Sequence, residues 1–417
     1  MIKRVFYFFI IVIFGNSVMG QVISETTPPF NIKTVTFTQN TNNVIPVFRL
    51  GELFQLSFDD LYGTEEDYYY TIAQYNYNWT PTQLSKNQYL DGTDNQRIQD
   101  YENSFNTLQL YSHYRLNIPN NYTQITKSGN YLISIFNNAR ELVFSKKIII
   151  YEDIVEVPMQ VKRARNVADN RYKHNLDFSI KTKDIVFQNP VQNIKVILLQ
   201  NGKWDNAIVN VKPQYTIGND LIFKYDKETQ FFAGNEYLYF DTKEIRVATN
   251  TIARVNSNSG LYNSHLYTDS SRKYKPYTYY PDVNGNFKVR NLTAQNNDVE
   301  ADYSWVYFSL FAADANASTS IYVTGMFNNN LLSAENKMDY NADKGIFEKA
   351  ILIKQGFVNY NYVVLDSKNN IAEANAIDGN FYETENQYTA IVYYRQNGDL
   401  YDRIIGKGNA NSVNITN

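Results

Sequence analysis

Hydrophobic and polar residues alternate in short runs along most of the chain, a pattern typical of half-buried β-strands. In the run from 114 to 118, Tyr114, Leu116 and Ile118 fall on one face, and Arg115 and Asn117 fall on the other. The chain also carries 36 Tyr and 25 Phe residues, and aromatic side chains suit the pleated surface of a sheet. The sequence therefore predicts an all-β protein.

Tight turns between these runs indicate how the strands pair. Three Asn-Gly pairs lie between strand-like runs, at Asn201-Gly202, Asn284-Gly285 and Asn397-Gly398. Asn-Gly is favoured in two-residue hairpin turns because both residues adopt positive φ readily. Hairpins join neighbouring strands that run in opposite directions, so we expect antiparallel sheets.

Helical periodicity is scarce. Its best case is the polar stretch 81–104, which Asp91-Gly92 interrupts. Because such a break weakens a helix, we predict a long ordered loop with one or two helical turns there.

The length of 417 residues is more than a single hydrophobic core usually serves, so we expect several domains. The candidate boundaries lie near 152–158, where the strand-like run 146–151 ends, and near 293–301, a polar Asn-rich stretch. The predicted division is a signal peptide at 1–20, domains at 21–154, 155–298 and 299–406, and a tail at 407–417. The expected architecture is a row of tandem antiparallel β-sandwiches of the immunoglobulin-like kind.

The N-terminus has the pattern of an export signal. Lys3 and Arg4 precede an apolar run at 5–14, and the predicted cleavage site lies between Gly20 and Gln21. No run approaches the length of a transmembrane helix, and the chain has no Cys, so neither a membrane span, a lipid anchor nor a disulfide is expected. We expect an exported, soluble protein.

The charge balance limits the classes of partner. The formal net charge is −3, and removal of Lys3 and Arg4 with the signal makes it −5. A mildly acidic protein is poorly suited to nucleic acid or to an anionic membrane surface.

No catalytic or metal-binding motif stands out. His113, His174 and His265 are isolated, and no serine-hydrolase elbow, Walker loop or zinc-protease motif occurs. Asp59-Asp60 and 65–67 form an acidic cluster around a turn, and a glycosidase would need two such carboxylates facing each other. Adjacent residues of a strand point to opposite faces, so Asp59 and Asp60 would not act together if both lie on a strand. We interpret the cluster as an acidic hairpin end. We expect no enzymatic activity, no metal and no cofactor.

One long loop is the best candidate for a contact site, because long ordered loops often carry function. It places Trp79 near paired-charge and aromatic residues, and we predict Trp79, Asp91, Arg97 and Tyr101 as partner-binding residues. The alternative interpretation of Trp79 is a buried ring that holds the loop to its sheet.

Several motifs occur in order along nearly the whole chain: Leu56–Leu61, Trp79–Pro81, Tyr89–Gly92, Arg97–Tyr101, Gln200–Ala207, Gly234–Glu236, Gly379–Asn386 and Tyr393–Arg395. Together they resemble the plug protein family of the Bacteroidota type IX secretion system. The resemblance implies a non-enzymatic periplasmic protein on the inner side of the outer membrane. It would bind the periplasmic mouth of the outer-membrane β-barrel translocon and seal its pore.

A second resemblance concerns the third predicted domain. Tyr322–Asn328, Gly345–Glu348 and Gly356–Tyr362 resemble early-set immunoglobulin-like domains, which include glycogen-binding modules. Asn330 stands where those modules commonly carry Trp, so we use the likeness for fold. Three alternatives remain open: a secreted carbohydrate-binding protein, a glycosidase that uses the acidic cluster, and a membrane β-barrel, which the uneven strand lengths disfavour.

Overall fold

A computed structural model of the protein describes residues 23–182, 185–258, 260–366, 375–413 and 415. Within these residues the chain forms 31 strands, two four-residue α-helices and two short 3₁₀ turns, so the all-β prediction is confirmed. None of the helices among them is long and apolar enough to cross a membrane. The predicted signal peptide and its cleavage site at Gly20 and Gln21 lie outside the described residues.

The first domain, residues 23–154, contains two five-stranded sheets packed around a core that includes Leu56, Phe58, Ile72 and Ile133. The sheet orders are β2-β1-β4-β9-β8 and β3-β12-β11-β5-β7, and β6 pairs with β10. The strands are β1 (Ile32–Gln39), β2 (Asn42–Asn43), β3 (Val47–Arg49), β4 (Phe54–Asp60), β5 (Tyr69–Tyr75), β6 (Leu90–Gly92), β7 (Gln96–Arg97), β8 (Asp100–Asn103), β9 (Ser112–Ile118), β10 (Thr123–Ile125), β11 (Gly129–Phe136) and β12 (Leu142–Tyr151).

The alternation seen in the sequence matches burial along β9. Tyr114, Leu116 and Ile118 are buried, whereas Arg115 and Asn117 remain partly exposed. The stretch 81–104 is more regular than the predicted loop, since it contains one 3₁₀ turn, Lys86–Gln88, and the three short strands β6, β7 and β8. Each is paired to another strand, and such long-range pairing is not visible in local periodicity.

The rest of the chain forms two further sandwiches. Its helices are α1 (Pro190–Asn193) and α2 (Asn297–Glu300), and a 3₁₀ turn spans Met326–Asn328. Its strands are β13 (Met159–Arg163), β14 (Lys173–Ile180), β15 (Ile194–Gln200), β16 (Lys203–Val211), β17 (Tyr215–Ile217), β18 (Asp220–Phe223), β19 (Gln230–Phe232), β20 (Leu238–Asp241), β21 (Ile252–Asn258), β22 (Leu261–Leu266), β23 (Asp269–Ser270), β24 (Phe287–Val289), β25 (Tyr303–Phe311), β26 (Ser320–Thr324), β27 (Asp339–Asn341), β28 (Ile346–Lys354), β29 (Gly356–Leu365), β30 (Gln387–Tyr394) and β31 (Arg403–Asn411).

The second domain is discontinuous along the chain. Its sheets are β13-β14-β18-β17, with β19 beside β14, and β16-β15-β30-β31. They enclose one core that combines residues from 155–231 with residues from 388–405. We therefore define the second domain as residues 155–237 and 381–415.

The third domain, residues 238–380, is inserted between β19 and β30. Its sheets are β20-β29-β24, with β26 beside β29, and β21-β22-β25-β28-β27, with β23 beside β25. Phe240 and Phe287 share its core with Val306 and Val323.

This arrangement corrects the predicted boundary between 155–298 and 299–406, because strands on both sides of residue 298 enclose one core. The predicted tail at 407–417 contains the end of β31, which pairs with β30. The polar stretch 293–301, predicted as a domain boundary, contains α2 and lies within the third domain instead. Local sequence does not reveal which core a strand joins.

Two of the three Asn-Gly pairs connect the antiparallel strands of a hairpin, but only the first forms the predicted two-residue turn. Asn201-Gly202, both with positive φ, joins β15 to β16 directly, whereas Asn397-Gly398, in which only Gly398 has positive φ, lies in a longer loop between β30 and β31. Asn284-Gly285 also has positive φ at both residues, but it precedes β24, whose partner is β29. That turn is therefore not a hairpin between neighbouring strands.

Candidate functional site

Trp79 lies buried between the first and second domains, with 5% of its surface exposed. Its ring packs edge-on against Trp204 of the second domain, with centroids 5.5 Å apart, and Lys147 Nζ lies 4.4 Å from the Trp79 ring centroid. Trp79 therefore joins two domains, and the prediction that it contacts a partner does not fit its burial. The alternative interpretation of a buried ring describes it better.

Arg97 and Tyr101 lie on the surface of the first domain, close to the acidic cluster. Arg97 Nη2 is 2.7 Å from Asp67 Oδ1, and the Tyr101 hydroxyl donates to Glu65 Oε2 at 3.0 Å. Hydrogen bonds from Asn103 and then from Tyr101 hold the pKa of Glu65 below its ordinary value. The acidic side chains thus lie at one edge of the domain, but the interpretation as a hairpin end is wrong, because the turn joins β4 and β5, which belong to different sheets.

Asp91 occupies a different position from the other predicted residues. It lies exposed on β6, opposite Gln124 of β10, in a separate two-stranded sheet. The four predicted residues therefore do not form one site. Trp79 is buried between two domains, Arg97 and Tyr101 lie together at one edge of the first domain, and Asp91 lies on a separate sheet.

A cluster of ionisable side chains is buried between the first and third domains. Asp59, with 0% exposure, lies at its centre. Its Oδ1 is 2.6 Å from His113 Nδ1, and its Oδ2 is 2.7 Å from Lys354 Nζ. The Tyr303 hydroxyl also donates to Asp59 Oδ2, at 2.6 Å.

This cluster has its charges paired. Burial raises the pKa of Asp59, but Lys354 and His113 outweigh burial and hold that pKa below its ordinary value. Lys354 Nζ also donates to the carbonyl of Asp298 at 2.6 Å and lies 4.1 Å from the ring centroid of Tyr111. The arrangement is a buried ion-pair network that connects two domains.

Asp59 and Asp60 do not act together, as the strand geometry predicts. Asp60 accepts hydrogen bonds from Asn31, from the backbone of Tyr62 and from the hydroxyl of Tyr68, whereas Asp59 contacts the third domain. Within the described parts of the chain, no group of three or more acidic or histidine side chains could hold a metal ion.

The contact between the first and second domains is mainly apolar. One cluster of buried side chains crosses it, consisting of Ile149, Ile197, Leu199, Ile391, Tyr393 and Ile404. At its edge, Arg403 contacts both carboxylate oxygens of Glu152 at 2.8 and 2.6 Å. The Tyr393 hydroxyl donates to Asn130 Oδ1 at 2.8 Å.

The second and third domains meet around Glu236. Its carboxylate accepts hydrogen bonds from the hydroxyl of Tyr277 and from the backbone N–H of Glu385. Burial raises the pKa of Glu236 to about 7 against the effect of these hydrogen bonds, and the charges of Asp282 and Glu385 raise it further. Each domain therefore contacts both of the others through buried polar or apolar side chains.

One signal for the apolar contact is present in the sequence. The runs Val196–Leu199 and Ala390–Tyr394 are apolar without alternation, which is typical of strands buried on both faces. In the structure Val196 and Leu198 face the core of the second domain, while Ile197 and Leu199 face the first domain. The Asp59 network has no such signal, because Lys354 is 295 residues away.

Comparison with known proteins places this architecture in a family. Residues 32–152 match the family model described as the type 9 secretion system plug protein 1st domain, and this span coincides with the first sandwich. A crystal structure of a hypothetical protein from Parabacteroides merdae is 31% identical, with a TM-score of 0.88 over 93% of this chain and 98% of that one. The chain belongs to the type 9 secretion system plug protein family.

Membership in the plug family associates the protein with a plug role in this secretion system and with the cell envelope. The likeness to the P. merdae protein extends beyond the matched first domain to the second and third domains. Domains 3–5 of Drosophila OTK and the D1–D4 fragment of ICAM-5 are each 9% identical. Their TM-scores of 0.15 and 0.13 are too low to indicate a common fold. They cover 94% and 92% of this chain, and 100% and 77% of their own. No curated protein matches the chain.

Proposed function

We propose that the protein is a non-enzymatic plug that binds the periplasmic mouth of the outer-membrane translocon of the type IX secretion system and seals its pore. The match of residues 32–152 to the plug family carries this proposal. The protein would be exported to the periplasm and held at the inner side of the outer membrane, and the translocon barrel would be its partner.

The contacts between domains support a sealing role. A plug that seals a pore must keep the arrangement of its domains fixed. In this chain each of the three domains contacts both others through buried side chains. Interfaces bury charge sparingly and are enriched in Tyr at their centres. The surface offers such residues, since Tyr62, Tyr274 and Tyr279 are more than half exposed, and charged side chains make up only 19% of the sequence.

Permeability of the outer membrane tests the proposal. In a strain that lacks this protein but retains the translocon, a large solute that wild-type cells exclude should enter the periplasm, and the intact gene should restore exclusion. A second strain that lacks both proteins should exclude the solute again, because the open pore is gone. Unchanged permeability in the first strain would refute the sealing role.

The carbohydrate-binding alternative depends on the third domain. At position 330, Asn330 lies in a turn with a φ of 53°, and its side-chain nitrogen is 3.3 Å from Met326 Sδ. An amide at this position offers no ring for stacking on a sugar. A glycan array probed with the whole protein should therefore show no binding.

A further inference from the structure

One face of the third domain is only partly covered by the first domain. Alternate residues of β25 point to the outer face of its sheet. Tyr303 and Trp305, near the start of the strand, pack in a cluster with Leu61 and Tyr111 of the first domain. Farther along the same face, Tyr307 is 37% exposed and Phe311 is 51% exposed. The sheet face thus continues from an intramolecular contact into solvent.

The uncovered part carries a stacked pair of rings. His265 of β22 lies opposite Tyr307 in the strand register, and their rings stack with centroids 4.3 Å apart and planes 18° apart. We call His265, Tyr307 and Phe311 the aromatic face. Stacked aromatic side chains present a large contact area at little cost in conformational entropy.

The first domain exposes apolar side chains beside the same contact. Four of them have more than half of their surface exposed: Tyr62, Phe105, Leu108 and Leu110. Phe105, Leu108 and Leu110 lie on the loop between β8 and β9, which we call the apolar loop, and Tyr62 lies beside it on the connection after β4. Tyr62 and Leu110 are the chain neighbours of Leu61 and Tyr111, which cover the third domain.

The apolar loop is fixed to the third domain through its backbone. The N–H groups of Leu108 and Gln109 donate to the Asp302 carboxylate at 2.7 and 3.1 Å. The N–H of Phe105 donates to the carbonyl of Val299 at 2.9 Å. These bonds hold the loop in place while its apolar side chains remain exposed, so a partner would meet an ordered surface.

We infer that the aromatic face and the apolar loop together form the surface that docks on the translocon. This inference rests on the proposed function. Continuity carries it, because the same sheet face already buries apolar side chains of another folded domain, and a partner protein would extend that contact. Exposed apolar surface of this kind marks sites of protein association.

The charges around the aromatic face favour a protein over a lipid or nucleic-acid partner. Three basic residues, Arg254, Lys344 and Lys349, line the same concave surface as Asp339 and Glu348. A rim in which acidic side chains offset most of the basic charge attracts a polyanion only weakly, whereas it suits the polar rim of a protein interface. The partner surface should present apolar side chains inside a rim of mixed charge.

Site-specific photocrosslinking in living cells tests the docking surface. Photoreactive benzoylphenylalanine would replace Tyr307 or Phe311 in the full-length protein. Tyr215 and Tyr172 of the second domain, which are 44% and 49% exposed, provide control positions of similar exposure. After irradiation, positions 307 and 311 should give an adduct that contains the translocon protein, identified by mass, and the control positions should not.

A substitution provides the second measurement. Phe311→Ser should lower co-purification of the translocon by roughly tenfold or more, with an unchanged melting temperature, and Tyr215→Ser should change neither. If the wild-type protein recovers the translocon but crosslinks arise only at 215 or 172, the docking surface is wrong and the proposed function stands. If the wild-type protein recovers no translocon, both fall. An adduct with a second copy of this chain at 307 would also contradict the docking surface.

Discussion

The first domain meets its two neighbours through chemically different contacts. Against the second domain it buries mostly hydrocarbon around Leu199 and Tyr393. Against the third domain it buries the ionised Asp59, paired with Lys354 and His113. An apolar contact tolerates small shifts of its side chains, whereas a buried ion pair is stable only in the geometry that satisfies each charge. The ion-pair contact with the third domain therefore specifies the orientation of the domains more strictly than the apolar contact with the second domain does.

The largest expected effect comes from breaking the ion pair on one side. Lys354→Met should lower the free energy of unfolding by about 3–5 kcal/mol, because Asp59 would remain buried with less compensation. Urea unfolding at neutral pH measures the change. Lys349→Met, five residues away on β28, removes a lysine whose partner Asp339 is exposed, and it should cost less than about 0.5 kcal/mol. Equal effects of the two substitutions would contradict the buried network.

The apolar contact should be weakened by loss of volume. Leu199→Ala should cost about 2–4 kcal/mol, since Leu199 is fully buried against the first domain and its truncation leaves a cavity. Leu400, 43% exposed on the surface of the second domain, provides a matched control, and Leu400→Ala should have little effect. The same urea experiment compares both variants, and a Leu199→Ala midpoint equal to that of wild type would refute this contact.

The two contacts also differ in how far sequence could predict them. Uninterrupted apolar runs in β15 and β30 indicate strands buried on both faces, although they do not name the surface that covers them. The all-β class, the hairpins at Asn201-Gly202 and Asn397-Gly398, and the family resemblance follow from local patterns. Insertion of the third domain and the pairing of Asp59 with Lys354 depend on strands distant along the chain, so no local pattern encodes them.

The contact around Glu236 extends the comparison to a carboxyl group with a raised pKa. Its folded-state pKa of about 7 exceeds the ordinary value of 4.5, so the folded protein holds a proton that the unfolded chain releases. Stability should therefore fall as the pH rises from about 4.5 to 7 and stay lower above that range. Glu236→Gln should remove this fall. It should stabilise the protein at pH 8 by about 1–2 kcal/mol, after allowance for solvent screening, and have little effect at pH 4.

Thermal unfolding across pH 4–8 measures the Glu236 effect. Glu228, substituted by Gln, provides the control because its side chain is exposed. Parallel stability profiles for wild type and Glu236→Gln would contradict the raised pKa. A gain at pH 8 for Glu228→Gln as well would indicate a general effect of net charge.

The smallest expected effect on stability concerns the exposed pair of Arg97 and Asp67. Their side chains are 44% and 32% exposed, and solvent screens such a pair, so Arg97→Ala should change the unfolding free energy by less than about 0.5 kcal/mol. Arg165→Ala removes an exposed ion pair with Asp226 in the second domain, and the buried Asp177, 3.9 Å from Arg165, keeps its closer partner Lys162, so this variant should also change the free energy little. Because neither variant disturbs the contacts between domains, co-purification with the translocon then tests Arg97 as a docking residue directly. Loss with Arg97→Ala but not with Arg165→Ala would extend the docking surface to this edge of the first domain, and retention in both would exclude Arg97 from it.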